Sequence, residues 1–231
     1  MKKNVVISGM LLVFALIATA ASLAVPAGAD DSLKAQGLVD KSYVTFRAFM
    51  ADPDMIWLHE HVRDARGVII IPQMLKGGFF LGGSGGSGVL VIRDEKTGEW
   101  SEPAFYNIGS VSFGLQIGAS AAEVVMLAMS QRAVDALLTT SFKIGGDVSA
   151  AIGPVGSGAA AKGLRADLIS YAKAKGAYLG ISLEGAVVDN ADSMSRAYYG
   201  QNASPTDILI RHDVKNPQAD ELRAAITKAA K

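Results

Sequence analysis

Apolar residues first recur with helical spacing between residues 32 and 50. The spacings of four, three and four residues place them on one stripe of a helix. The stripe consists of Val39, Tyr43, Phe46 and Met50. Asp52 and Pro53 follow directly, and an acidic residue before a proline is typical of a helix start. The pattern therefore predicts a helix over 32–50 and a second short helix, capped by Asp52, that runs to about His61.

In the middle of the chain the spacing changes to that of β-strands. Short apolar runs between turn residues indicate buried strands, and strict alternation indicates half-buried ones. The predicted strands are 67–72, 89–93, 111–118, 123–129, 142–152, 168–172 and 177–188. Ser130 is placed to cap a short helix, Gly200 to end a helix over 192–199, and Asn216 to open a C-terminal helix over about 217–230.

Most connections between these strands are too short for parallel crossovers. The sequence therefore predicts an α+β fold, with a mostly antiparallel sheet framed by N- and C-terminal helices. Gly114 and Gly118 fall on one face of the 111–118 strand, where glycine marks close backbone approach or strong curvature. We expect a curled sheet or partial barrel.

Residues 1–29 differ in character from the rest. Lys2 and Lys3 precede an apolar run, and the small residues 27–29 fit a cleavage site, a pattern typical of a secretory signal peptide. The alternative is an uncleaved anchor, since the run is almost long enough to span a bilayer. We expect cleavage after residue 29, which leaves 30–231 as a single domain. We expect it to be secreted across the inner membrane into a bacterial periplasm, either free there or peripheral on the envelope membrane.

Charge and composition exclude several classes of function. The 22 basic and 22 acidic residues balance, which excludes nucleic-acid binding through bulk attraction to phosphate. The chain has 0 cysteines, which excludes a disulfide scaffold, a thiolate nucleophile and a cysteine-ligated metal. His59 and His61 lie two apart on a predicted helix and would point in different directions. We expect no metal site and no cofactor.

Residues 82–88 form a glycine-serine tract that matches two catalytic patterns. It fits the glycine motif of dinucleotide-binding proteins and, around Ser84, the nucleophile elbow of hydrolases. Both motifs must lead into a helix, whereas Val89 begins a predicted strand. The only later histidine is His212, in a polar segment. We interpret the tract as a flexible or tightly turned hairpin loop, and we expect no enzyme.

Nine short stretches form an ordered set along the chain. They are ARGVIIIP at 65–72, GVLVIRD at 88–94, WSEPAFY at 100–106, FGLQIGA at 113–119, RAVDALL at 132–138, GPVG at 153–156, SYAKAKG at 170–176, GISLEG at 180–185 and AYYG at 197–200. This set, over roughly 33–200, resembles the SYLF domain, also called the Ysc84 actin-binding or DUF500 family.

The resemblance implies a non-enzymatic domain that binds lipid. Eukaryotic relatives bind phosphoinositides through an amphipathic N-terminal segment and basic residues, and fungal relatives also bind and bundle actin. This sequence departs from them in its predicted export signal and in showing no SH3 or FYVE domain. We therefore expect an anionic envelope lipid or membrane surface as the partner, and we do not expect actin. The alternative is a structural or protein-interaction module of the cell envelope.

The candidate lipid contacts are basic residues in two places. They are Lys34, Lys41, Arg47, Lys173 and Lys175. The first three flank the apolar stripe of the 32–50 helix, which either lies at a headgroup boundary or packs on the sheet as core. The other two fall on a predicted hairpin tip, where they either contact lipid headgroups or are simply solvated.

Overall fold

A computed structural model of the chain describes residues 27–78, 81–113, 118–156, 165–174, 176–178 and 183–231. Residues 1–26, with most of the predicted signal peptide, lie outside the described residues, as do Gly114 and Lys175. The α-helices within the described part are α1 (Ala27–Met50), α2 (Ile56–His61), α3 (Gln131–Leu137), α4 (Asp192–Tyr199) and α5 (Asp220–Ala229). None of them is long and apolar enough to cross a bilayer.

Nine strands of the described part join in one sheet. They are β1 (Gly67–Gly78), β2 (Leu81–Ile92), β3 (Ala104–Phe113), β4 (Gly118–Ala128), β5 (Ser141–Lys143), β6 (Ala150–Ile152), β7 (Leu168–Ala174), β8 (Ala177–Tyr178) and β9 (Val187–Asn190). The order across the sheet is β5-β9-β3-β2-β1-β4-β7-β6, and β8 pairs with β7. All of these pairs are antiparallel except β6 with β7. The sheet is strongly curled into a half-barrel, so the predicted fold class is confirmed.

The two faces of the sheet carry separate hydrophobic cores. Alternate side chains of the long strands point to opposite faces, as strand geometry requires. The α1 face carries Val68, Val91 and Leu127 and is covered by α1, α2 and α5. The α3 face carries Leu90 and Met126 and is covered by α3.

The glycine-serine tract is strand rather than loop. Residues 81–88 belong to β2 and pair with β1 on one side and β3 on the other. The pairing is irregular beside the tract, where the register of β1 shifts between Ile70 and Gln73. A Cβ atom on Gly88 would lie 2.4 Å from the carbonyl oxygen of Ile70, so only glycine fits at this close approach. The loop interpretation was wrong because backbone pairing with a strand on each side outweighs the low strand propensity of glycine and serine.

Towards the end of the sheet opposite Ile92, β1–β4 continue as a four-stranded extension that we call the ribbon, and its base still contributes Met74 and Ile108 to the core on the α3 face. It comprises residues 73–78, 81–87, 107–113 and 118–122. Leu75 and Val111 are exposed there, whereas the same strands are buried closer to the helices.

Three local predictions are wrong. The second helix begins at Ile56, because the Asp52 carboxylate accepts the backbone N–H of Asp54 at 3.0 Å and forms a turn ahead of the helix. Residues 142–152 form two short strands, β5 and β6, which pair with β9 and β7 at opposite edges of the sheet. The predicted 177–188 strand is replaced in the described residues by β8 and the start of β9.

Three helix boundaries are confirmed. The Ser130 hydroxyl accepts the N–H of Ala133 at 3.1 Å and caps α3. Gly200 ends α4 with a φ of 70°. The Asn216 side chain accepts the N–H of Gln218 at 3.1 Å and opens a short 3-10 turn that leads into α5.

Candidate lipid-contact site

The apolar stripe of α1 packs on the sheet. Val39 and Phe46 are each 1% exposed in the core on the α1 face, while Tyr43 and Met50 are half-buried beside it. The stripe was predicted either to lie at a headgroup boundary or to pack on the sheet, and the structure shows that it packs on the sheet. The stripe therefore does not face a headgroup boundary, and the basic residues of α1 lie on the outer side of the helix.

Those three basic residues have different surroundings. The Lys34 ammonium lies 2.5 Å from the Asp30 carboxylate, which raises the pKa of this lysine through a hydrogen bond. Arg47 donates to the Tyr43 hydroxyl at 3.1 Å, which leaves its guanidinium without a carboxylate partner among the described residues. Lys41 is exposed and likewise has no carboxylate within 4.0 Å in the described part of the chain. Arg47 and Lys41 thus keep an uncompensated charge.

Lys173 is not at a hairpin tip. It lies inside β7, is 8% exposed, and its ammonium is 2.5 Å from the Asp52 carboxylate and 5.4 Å from the ring centre of Phe49. The hydrogen bond from Lys173 lowers the pKa of Asp52. This pair ties the end of α1 to the sheet, so we leave Lys173 out of the candidate surface.

The last turns of α1 and α5 enclose a groove that the sequence did not reveal. Its volume is about 330 Å³, and its lining is mostly apolar. Two basic side chains, Arg47 and Lys228, line it and extend to solvent. The remaining lining residues are Phe46, Met50, Ala51, Ala225 and Ala229.

The groove carries positive charge, because Arg47 and Lys228 line it and none of the other described lining residues is acidic. The carbonyl ends of α1 and α5 contribute negative partial charge nearby, and the two cations offset it. Such a groove suits an anionic amphiphile: a phosphate or carboxylate would contact Arg47 and Lys228, and an apolar chain would lie on the side chains between the helices.

The groove lies near the base of the ribbon. The Thr45 hydroxyl donates to the Glu123 carboxylate at 3.1 Å, and Glu123 is the β4 residue that directly follows the ribbon. Arg47 is only two residues beyond Thr45 on α1. Sequence reasoning included Arg47 but missed Lys228, because nothing local shows that α5 docks beside the end of α1.

The residues with catalytic or metal-binding patterns are separated in the structure. The Ser84 hydroxyl lies 2.8 Å from the Ser110 hydroxyl on the neighbouring strand, and strand continues on both sides of it. His212 instead lies 3.8 Å from Asp94, beyond the far end of β2. Within the described residues no group of three or more histidine, aspartate or glutamate side chains could hold a metal ion.

Comparison with known proteins finds a family whose description refers to actin regulation. The family model described as "Las17-binding protein actin regulator", Ysc84, matches residues 109–229. The human "SH3 domain-containing YSC84-like protein 1" is 31% identical over 174 residues, which cover 74% of this chain and 50% of the human protein. "Protein YSC84" of Saccharomyces cerevisiae is 32% identical over 167 residues, 70% of this chain and 35% of that protein. "LAS seventeen-binding protein 3" of the same species gives the same identity, with 36% of that protein covered.

These matches correct one expectation and set a limit on others. The expectation that actin would not be a partner is wrong, because the family and its relatives carry names that refer to actin regulation and to Las17 binding. That expectation rested on the predicted export signal and on finding no SH3 or FYVE domain in the sequence. The chain spans half or less of the length of these relatives. By the family match and by the identity to its relatives, the chain belongs to the Ysc84 (SYLF) domain family.

Proposed function

We propose that this chain is a non-enzymatic binding domain that associates with membranes containing anionic lipid. The observation that carries the proposal is the groove between α1 and α5, where Arg47 and Lys228 flank an apolar lining that has no acidic side chain. A cation pair beside an apolar surface matches a lipid, which combines an anionic headgroup with an apolar tail.

The expected strength follows from the two charges. Each basic residue near an anionic membrane surface contributes about 1 kcal/mol, so Arg47 and Lys228 together contribute about 2 kcal/mol, or roughly 30-fold in affinity. This contribution is screened by salt when the groups remain close to water. We also propose export to the cell envelope, which the basic and apolar pattern of residues 1–29 supports. N-terminal sequencing of the mature protein tests the expected cleavage after residue 29.

Vesicle co-sedimentation tests the lipid proposal. We expect the purified chain to pellet with phosphatidylcholine vesicles that contain an anionic phospholipid, and to be released as salt rises. The double variant Arg47→Gln, Lys228→Gln should lose about 10- to 30-fold of this binding. The matched control is Arg63→Gln, Lys96→Gln, which removes two exposed positive charges beyond the opposite end of β2. Equal loss in both double variants, or equal binding to neutral vesicles, would refute the groove as the site.

A second candidate function is binding to an actin-regulating protein partner. It is favoured by the family match, which extends over residues 109–229. In this case the chain would pellet with filamentous actin, or crosslink to a protein partner, in the absence of vesicles. A result in which the chain pellets with neither actin filaments nor vesicles, and crosslinks to no protein partner, would contradict both candidates.

A further inference from the structure

The ribbon is almost free of charge. Residues 73–87 and 107–122 contain a single charged side chain, Lys76. Exposed surfaces of globular domains normally carry many charged residues of both signs. The lack of charged residues on these exposed strands therefore suggests that their surface contacts something other than water.

On the α1 face the ribbon presents apolar groups that none of the described helices covers. The exposed fraction is 56% for Leu75 and 75% for Val111. The residues between them on β2 are Gly83 and Gly85, which pair with Val111 and Leu75 respectively and have no side chain to shield either one. The result is an open apolar face beyond the helices.

On the α3 face a single row of polar side chains crosses all four strands. Lys76 on β1 pairs with Ser84 on β2 and with Ser120 on β4, and Ser84 pairs with Ser110 on β3. These are therefore one cation and three hydroxyl groups at the same height of the ribbon. Lys76 has no carboxylate within 4.0 Å among the described residues. An ammonium with neighbouring hydroxyl donors is suited to a phosphate group.

The dimensions fit a membrane surface. The part of β1 beyond the buried Met74, residues 75–78, is four residues long and extends about 13 Å at about 3.3 Å per residue. The headgroup layer of one leaflet is about 5–8 Å deep. Both β1 and β2 have neighbours on each side within the ribbon, so their backbone groups are paired as a water-poor environment demands.

We propose that the ribbon enters the headgroup layer of an anionic bilayer. Lys76 and the adjacent serine hydroxyls contact lipid phosphate, while Leu75 and Val111 reach the boundary of the acyl chains. Charge complementarity selects the bilayer as the occupant, since the one charge on this surface is positive and all its other side chains are uncharged. This inference rests on the proposed membrane binding. It adds that the ribbon is the element that penetrates the headgroup layer.

Site-specific fluorescence tests the proposal directly. The chain has 0 cysteines, so Leu75→Cys and Val111→Cys each introduce a single attachment point for an environment-sensitive nitrobenzoxadiazole probe. Lys96→Cys is the matched control, because it is also exposed but lies in the turn beyond the opposite end of β2. With vesicles of phosphatidylcholine and 30% phosphatidylglycerol, we expect blue-shifted and brighter emission at positions 75 and 111 and no change at 96.

Binding variants supply an independent measurement. Because Leu75 and Val111 are exposed in the free protein, the double change Leu75→Ser, Val111→Ser should leave the melting temperature unchanged and weaken vesicle binding about tenfold. Lys76→Gln should weaken binding to anionic vesicles about fivefold, the effect of one basic residue at such a surface. Its binding to neutral vesicles should stay unchanged.

The outcomes separate the two proposals. Pelleting with vesicles while the probes at 75 and 111 stay silent would overturn the ribbon as the penetrating element and leave membrane binding standing. Failure of the wild-type chain to pellet with any vesicle would refute the membrane proposal, and with it the role of the ribbon. Probe response at all three positions alike would also overturn the inference, because it would indicate non-specific adsorption.

Discussion

Asp167 joins three parts of the chain through one carboxylate. It accepts a hydrogen bond from the Ser130 hydroxyl at 2.6 Å, from the Ser149 hydroxyl at 2.6 Å and from the Ser149 N–H at 2.8 Å. The guanidinium of Arg132 donates to the same carboxylate and is the largest cause of its low pKa, which lies well below the usual range. The group is also largely buried, so these donors have little competition from water.

This arrangement predicts a pH-dependent stability. The folded-state pKa of Asp167 is lower than the unfolded value of about 3.9, so its contribution is complete above about pH 5 and is lost as the pH falls towards the folded value. Asp167→Asn should destabilise the protein by about 2–3 kcal/mol at pH 7, since a neutral amide loses the charge-assisted hydrogen bond from Arg132 and places an NH2 group where one carboxylate oxygen accepts from the Ser130 hydroxyl. Thermal melts of both proteins between pH 7 and 3 measure this.

The gap between their melting temperatures should narrow at acid pH, because the wild type alone loses the ionised carboxylate. A gap that stays constant over this range would show that Asp167 does not stabilise the fold as an anion. The variant Asp135→Asn is a suitable control, because it changes an exposed carboxylate on the same helix that Ser130 caps.

At the scale of elements, the pairing of β2 with β1 at the base of the ribbon requires glycine at a particular position. Where β1 shifts register, its backbone comes so close that a Cβ on Gly88 would meet the Ile70 carbonyl oxygen at 2.4 Å and the Ile71 side chain at 2.8 Å. Gly109 on β3 has no such neighbour, since the nearest atom to its Cβ would lie 3.8 Å away. Position 88 therefore has no room for a side chain, whereas position 109 has room for a methyl group.

We expect Gly88→Ala to destabilise the protein by about 2–3 kcal/mol, because a backbone atom must move to admit the methyl group. Gly109→Ala should be neutral or slightly stabilising, because alanine loses less conformational freedom in a strand. Urea unfolding of the two variants measures the difference. Similar midpoints for both would show that the irregularity in β1 relaxes at little cost.

The elements that the sequence predicted correctly are those whose signals are local. Ser130 and Gly200 each act within one helical turn, so their caps could be predicted from a few residues. The glycine-serine tract could not, because glycine and serine favour turns, and its strand conformation comes from pairing on both sides, with β1 and with the later strand β3. For the same reason Lys228 was missed, whereas Lys76 carried a visible signal as the one charge in two long uncharged stretches.

The whole molecule is organised as two cores that share one sheet. Leu90 and Val91 are neighbours on β2 and both are 0% exposed, yet their side chains enter different cores. The sheet thus links α3 on one face with α1, α2 and α5 on the other. Membrane contact at the ribbon would be supported from both sides, because β1 and β2 pass through both cores before they reach it.

A shared sheet predicts that both cores unfold together. The chain has 2 tryptophans, Trp57 and Trp100, and both belong to the core on the α1 face. Leu90→Ala removes apolar volume from the other core and should cost about 3 kcal/mol. The tryptophan fluorescence transition in urea should nevertheless shift to lower denaturant, together with the circular dichroism transition and with an unchanged slope.

Val111→Ala, on the exposed ribbon, serves as the control and should shift neither transition. If the fluorescence midpoint stayed in place while the circular dichroism midpoint moved, the two cores would unfold independently. The core on the α1 face would then not depend on the core on the α3 face, and the sheet would not couple the α1-face helices to the ribbon.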